Sequence, residues 1–163
     1  MTVRKIRLLI VDDEVRFIEA LSRRLGLRDF DVTAVTSGKQ ALKTAEEREF
    51  DLALLDLKMP EISGEQLLET LKRRDPSIEV VMLTGHGSID SAVRCTKIGA
   101  FGYLAKPCET EELLTTLRNA YQHRIELQVQ ADTERMEEFA RIATEESPMA
   151  ALRRLRELEK DKQ

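Results

Sequence analysis

Three aspartates, a threonine and a lysine carry the chemistry that this sequence suggests. The run Leu8-Leu9-Ile10-Val11 reads as a buried strand and ends abruptly in Asp12, Asp13 and Glu14. Another apolar run leads to Asp56, a third ends at Thr84, and a fourth is followed by Lys106-Pro107. Carboxylates crowded at the edge of an apolar core are costly unless something cationic compensates them. A hard divalent cation, Mg²⁺ in particular, takes oxygen ligands and keeps several waters, which leaves positions for phosphate oxygens. Lys106 adds a mobile positive charge and Thr84 a hydroxyl donor. The set suits phosphoryl transfer, where positioning and charge neutralisation do most of the catalysis.

The elements that must bring these residues together follow from the hydropathy pattern. Apolar runs at 6–11, 31–35, 52–57, 79–84 and 103–105 alternate with amphipathic stretches at about Glu14–Gly26, Lys39–Arg48, Gly64–Arg74, Ser88–Gly99 and Thr110–Arg124. Gly26 and Gly99 sit where helices should stop, Ser37 suits an N-cap, and Asp75-Pro76 ends the third helix. Five strands alternating with five helices predict an α/β domain, a doubly wound parallel sheet with helices on both faces. Runs such as LLIV and VVML, apolar throughout, are those of strands covered on both sides. In such a sheet ligands bind beyond the carboxyl ends of the strands, where all the singled-out residues fall. Each alone has a bland account: Asp12 or Asp13 as a helix cap, Asp56 as a turn residue, Thr84 as a strand end, Lys106 on the surface. Their coincidence at one edge overturns those accounts.

Composition bounds the function. The 163 residues, 42% hydrophobic and 34% charged, suit one globular domain plus an appendage. No apolar run approaches a membrane span and the N-terminus has no signal-peptide cleavage region, so a cytoplasmic protein without a membrane partner is expected. The net charge of -4 gives no general attraction to nucleic acid. Cys95 and Cys108 form no CxxC pair, and with only His86 and His123 a zinc site is not expected.

Residues 124–163 differ in kind, with no glycine and eighteen charged residues. Ile125, Val129, Asp132, Met136, Phe139 and Ala143 follow a 4-3-4-3-4 spacing, a heptad-like seam interrupted by one aspartate. Ser147-Pro148 then reads as the N-cap and first residue of a short helix with Met149, Leu152, Leu155 and Leu158 on one side. A helical extension that continues the fifth domain helix is predicted. It could pair with a second copy as a coiled coil or fold back on its own domain.

The segments LLIVDDE, DLALLDLKMPEISG, VVMLTGHGS and GAFGYLAKP resemble the receiver domain of bacterial two-component response regulators, the chemotaxis-regulator-like superfamily. The resemblance covers roughly residues 4–123 and sets the expected division at 1–123 for the receiver and 124–163 for the extension. It implies a flavodoxin-like (βα)5 fold with strand order 2-1-3-4-5. It also implies that Asp56 accepts a phosphoryl group from a histidine kinase or phosphotransfer protein. Asp13, Asp56 and the backbone carbonyl of Lys58 would hold Mg²⁺, with Asp12 assisting through water. Lys106 would contact the phosphoryl oxygens, and Thr84 and Tyr103 would act as the switch pair. The Lys106-Pro107 bond would be cis. Lys58 and His86, two residues beyond Asp56 and Thr84, would tune the phosphoryl lifetime. The chain would then be a switch rather than an enzyme, with an unknown downstream protein reading the surface of its fourth helix, fifth strand and fifth helix. The alternative is the receiver part of a larger transcriptional activator whose ATPase and DNA-binding domains lie elsewhere. A hydrolase of the haloacid-dehalogenase type needs an acid two residues after its nucleophile, where this chain has Lys58, and is set aside.

Overall fold

The computed structural model describes residues 3–145 and 147–160. Five strands, β1 (Ile6–Val11), β2 (Phe30–Val35), β3 (Leu52–Leu55), β4 (Glu79–Thr84) and β5 (Gly102–Ala105), form one parallel sheet in the order 2-1-3-4-5. Between and after them lie α1 (Val15–Gly26), α2 (Gly38–Glu47), α3 (Gly64–Arg74), α4 (Ile89–Ile98), α5 (Thr110–Glu145) and α6 (Pro148–Lys160). The flavodoxin-like doubly wound fold with a helical C-terminal extension is the one read from the sequence.

The period-two alternation of the strands sorts their side chains into two cores. Leu8 and Ile10 of β1, Leu52 and Leu54 of β3, and Val81 and Leu83 of β4 join Ile18, Leu21 and Leu25 of α1 and Leu113, Leu114 and Leu117 of α5. Their neighbours Leu9, Val11, Ala53, Leu55, Val80 and Met82 pack on the opposite face with Leu67, Leu68 and Leu71 of α3 and Cys95 of α4. The helix boundaries follow local chemistry. Ser37 and Ser63 cap α2 and α3 by accepting from Gln40 and Gln66 backbone N–H, and Ser88 with Ser91 forms a capping box on α4. Gly99, at φ 121°, closes α4 in a conformation that a β-carbon would strain.

The apolar run at 52–57 outlasts its strand. β3 ends at Leu55 rather than at residue 57, because the backbone turns at Asp56, whose own carboxylate accepts from Leu57 N–H at 2.8 Å. As predicted from the sequence, the extension continues the fifth domain helix: α5 runs without interruption to Glu145, since nothing between Arg124 and Ala143 breaks it. The chain divides into two compact units, 1–124 and 125–163. Within the second, Ser147 caps α6, its hydroxyl accepting from Ala150 N–H at 3.4 Å. The apolar seam is not what the single chain buries: Val129 and Met136 are 60% and 70% exposed, whereas Ile142 and Ala151, both outside that seam, are buried.

At the amino ends of the strands the fold buries a second group of charges. Asp51 takes Arg7 Nη2 at 2.9 Å, Arg4 Nη2 at 3.3 Å and Arg124 Nε at 3.4 Å, together with Arg7 backbone N–H at 2.9 Å. Buried Arg124 also donates to Ser77 Oγ at 2.8 Å and pairs with Asp75 at 3.4 Å. Burial alone would raise the Asp51 carboxyl pKa, but the hydrogen bonds from Arg7 outweigh it and hold it below the usual carboxylate range.

Because Asp51 titrates lower in the folded chain than in the unfolded one, its contribution is complete above the ordinary carboxylate pKa of about 3.9. It is lost as pH falls through the depressed folded value. Asp51→Asn is expected to cost about 2 kcal/mol near neutral pH, less than a fully buried pair because Arg4 and Arg7 keep contact with water. Urea denaturation repeated at falling pH checks this: the gap between wild type and variant should shrink in acid.

Candidate functional site

The register of the sheet places the acids. Val11 pairs with Leu55 across β1 and β3, so the next residues, Asp12 and Asp56, emerge side by side. Asp56 N–H donates to Val11 O at 3.0 Å and Asp12 N–H to Val35 O at 3.3 Å, which pins both backbones to the sheet edge. Asp12 and Asp56 are buried and Asp13 is exposed, yet carboxylate oxygens of all three lie within 4.8 Å of one another. Gly64 permits this: its N–H reaches Leu57 O at 2.8 Å, and a β-carbon there would collide with the Asp56 carbonyl oxygen.

One ammonium enters this cluster. Thr84 pairs with Ala105, and Lys106 N–H then donates to Thr84 O at 2.9 Å just before the cis bond to Pro107. The Lys106 Nζ lies 2.5 Å from Asp12 Oδ2, 3.1 Å from Glu14 Oε1 and 3.8 Å from Asp56 Oδ2. The Phe17 ring covers it, with the centroid 4.2 Å away. Burial pushes the Asp12 carboxyl above its ordinary value, and the bonds from Lys106 and Glu14 N–H offset only part of the rise. Burial also opposes the Lys106 charge, but its bonds to Asp12 and Glu14 prevail and raise its pKa. The two directions agree: the lysine stays charged, and the acids are left short of positive charge.

Beside this cluster opens a cleft of about 630 Å³ lined by residues that include Asp13, Asp56, Lys58, Met59 and His86. Lys58 and His86 both reach it from exposed loops. Thr84 is buried on the same edge, its hydroxyl oxygen accepting from His86 N–H at 3.1 Å. Tyr103 stands apart from the acids, half-buried, with its hydroxyl 2.7 Å from Ser91 Oγ at the start of α4. Gly87 makes room for that hydroxyl, since a β-carbon would come within 2.5 Å of it.

The structure thus gathers Asp12, Asp13, Asp56 and Lys106, sets Lys58 and His86 at the cleft, and holds Tyr103 against α4. Sequence reasoning gave no role to Glu14, Phe17 or Ser91. Glu14 was visible as the third acid of a charged triplet. The Tyr103 hydrogen bond to Ser91 follows only from the tertiary fold.

A family model described as the response regulator receiver domain matches residues 8–118. The transcriptional regulatory protein ZraR of Escherichia coli is 37% identical over 123 residues, 76% of this chain and 28% of that protein. The regulatory protein LuxO of Vibrio cholerae is 34% identical over 125 residues, 77% of this chain and again 28% of its own length. The chain therefore spans little more than a quarter of these curated relatives. Among solved structures, a response regulator receiver domain protein from Clostridium thermocellum superposes with a TM-score of 0.71 at 31% identity, covering 75% of this chain and 98% of its own. The signal receiver domain of a LuxO repressor protein from Vibrio parahaemolyticus gives 0.72 at 28% identity, over 77% and 96%.

Like charges left under-compensated weaken the fold that holds them. Asp13→Asn is therefore expected to raise the urea midpoint in chelator-containing buffer. A lowered midpoint would show that Asp13 makes a stabilising contact instead.

Proposed function

The chain belongs to the response regulator receiver family, and from this membership and its site we propose a phosphorylation-driven signalling switch with Asp56 as acceptor. The observation that carries the reading is the position of Asp56. It is a buried carboxylate at the cleft, within 4.8 Å of two further acids and 3.8 Å from one lysine. A receiver is a signalling element rather than an enzyme, and it assists its own phosphorylation and dephosphorylation.

An Asp56 oxygen attacks the phosphorus of a phosphohistidine on a kinase or phosphotransfer protein. A P–O bond forms, the P–N bond breaks with its electron pair going to the imidazole, and the ring nitrogen takes up a proton. Receiver domains generally use Mg²⁺ at an acidic pocket, and the donor set fits: three hard carboxylates against one ammonium. Asp13, Asp56 and the Lys58 carbonyl would hold the ion, with Asp12 assisting through water. When bound it neutralises charge on the phosphoryl oxygens. Thr84 accepts a bond from His86 N–H and keeps its own proton to donate to the modified Asp56. Tyr103 leaves Ser91 and turns inward. Lys58 and His86, facing the cleft, adjust access of the attacking water.

The readout surface is the face of α4, β5 and α5, where Ile89 and Val93 are exposed and Phe101 stacks against His123 with ring centroids 5.6 Å apart. Transcriptional control is the output that the names of the curated relatives favour. The exposed seam of Val129 and Met136 supports pairing of the extension with a second copy.

Intact mass after incubation with a small phosphodonor and Mg²⁺ tests the switch. One phosphoryl group should add to wild type, none to Asp56→Asn, and none with a chelator present. Addition to the variant, or none to wild type, would refute Asp56 as acceptor. For the extension, charged substitutions at Met136 and Phe139 should shift sedimentation from dimer to monomer; an unchanged coefficient would count against pairing.

A further inference from the structure

Glu14 occupies the N-cap position of α1, yet its side chain caps nothing. A negative side chain there is favoured by the N-terminus of its own helix. Its carboxylate instead reaches Lys106, 92 residues along the chain, at 3.1 Å. Lys106 is the group that must turn to a phosphoryl oxygen on Asp56.

From this geometry we propose that Glu14 is a positioning residue, a removable tether that holds the Lys106 ammonium short of Asp56 until a phosphoryl group arrives. The inference rests on Asp56 being the acceptor. An ammonium has three N–H donors. One is given to buried Asp12 and one to Glu14, while Asp56 at 3.8 Å lies beyond hydrogen-bond reach. The Phe17 ring closes a further direction. To bond a phosphoryl oxygen, the ammonium must release a partner. Asp12 is the costlier one to release, because both its carboxylate and the ammonium are withdrawn from water and the contact is the shorter, at 2.5 Å against 3.1 Å. Glu14 is the ready one: its side chain is 62% exposed, so water replaces the lysine at little cost. The tether stabilises the unmodified state and is lost on the way to the transition state, so it slows phosphorylation.

The test compares initial rates of Asp56 phosphorylation by phosphoramidate with Mg²⁺ in wild type, Glu14→Gln and Glu14→Asp. Glutamine removes the charge; aspartate keeps it but is one methylene too short to reach Lys106. Both variants are expected to react roughly threefold faster, the size of effect that an ion pair with one solvent-exposed partner supports. If aspartate matches wild type while glutamine is faster, Glu14 merely repels the anionic donor and the tether is overturned. Unchanged rates in both overturn it as well. A second readout stands apart from turnover: the ¹⁵N ammonium signal of Lys106 in metal-free protein. It should show slow proton exchange in wild type and faster exchange in both variants; equal exchange in all three sinks the tether. If wild type takes up no phosphoryl group, the assignment of Asp56 fails and the ammonium signal still decides on the tether.

Discussion

A single ammonium stands among carboxylates from two neighbouring strand ends, and the site depends on that imbalance. Asp12 follows β1, Asp56 follows β3, and Lys106 follows β5, so one hydrogen-bonded ladder fixes all three at once. The lysine saturates Asp12 and is shared with Glu14, leaving Asp56 with a cation nearby but not bonded. Only a group that brings positive charge, or that itself demands it, completes such an arrangement.

The opposite pole of the same sheet makes the contrast plain. There Asp51 meets three arginines, and its carboxyl sits below the ordinary range. Asp12, equally buried, meets one lysine and sits above it. Both poles are built from residues flanking the same strands, so burial does not separate them; the number of cationic partners does. One end is a finished electrostatic structure that fastens α5 through Arg124. The other is left unfinished at the edge where ligands bind in doubly wound folds.

Much of this was legible because strands covered on both faces write continuous apolar runs, and their ends announce themselves as the first acid, hydroxyl or lysine. Asp12, Asp56, Thr84 and Lys106 were found in that way. At β3 the apolar pattern runs on through Leu57, although Asp56 has already turned the backbone with its own side chain. Glu14 reads in sequence as one more solvated acid, and its use appears only when the β5–α5 loop closes over α1. Ser91 reads as half of a capping box, which it is; that the same oxygen meets Tyr103 is a product of packing. In the extension, the heptad spacing marked Val129 and Met136, which the single chain leaves exposed, and Ile125 and Phe139, which it half-buries, while Ile142 and Ala151 are buried outside that pattern.

The setting of Tyr103 has an optical consequence. The chain has two tyrosines and no tryptophan, so no indole masks phenol emission. Tyr121 packs against one core, and Tyr103 against the other with its hydroxyl on Ser91. A phenol that exchanges a hydroxyl acceptor for another environment changes its emission and its near-ultraviolet dichroism. The molecule thus carries an intrinsic chromophore at the hydrogen bond that joins β5 to α4, and no label need be attached to watch that bond.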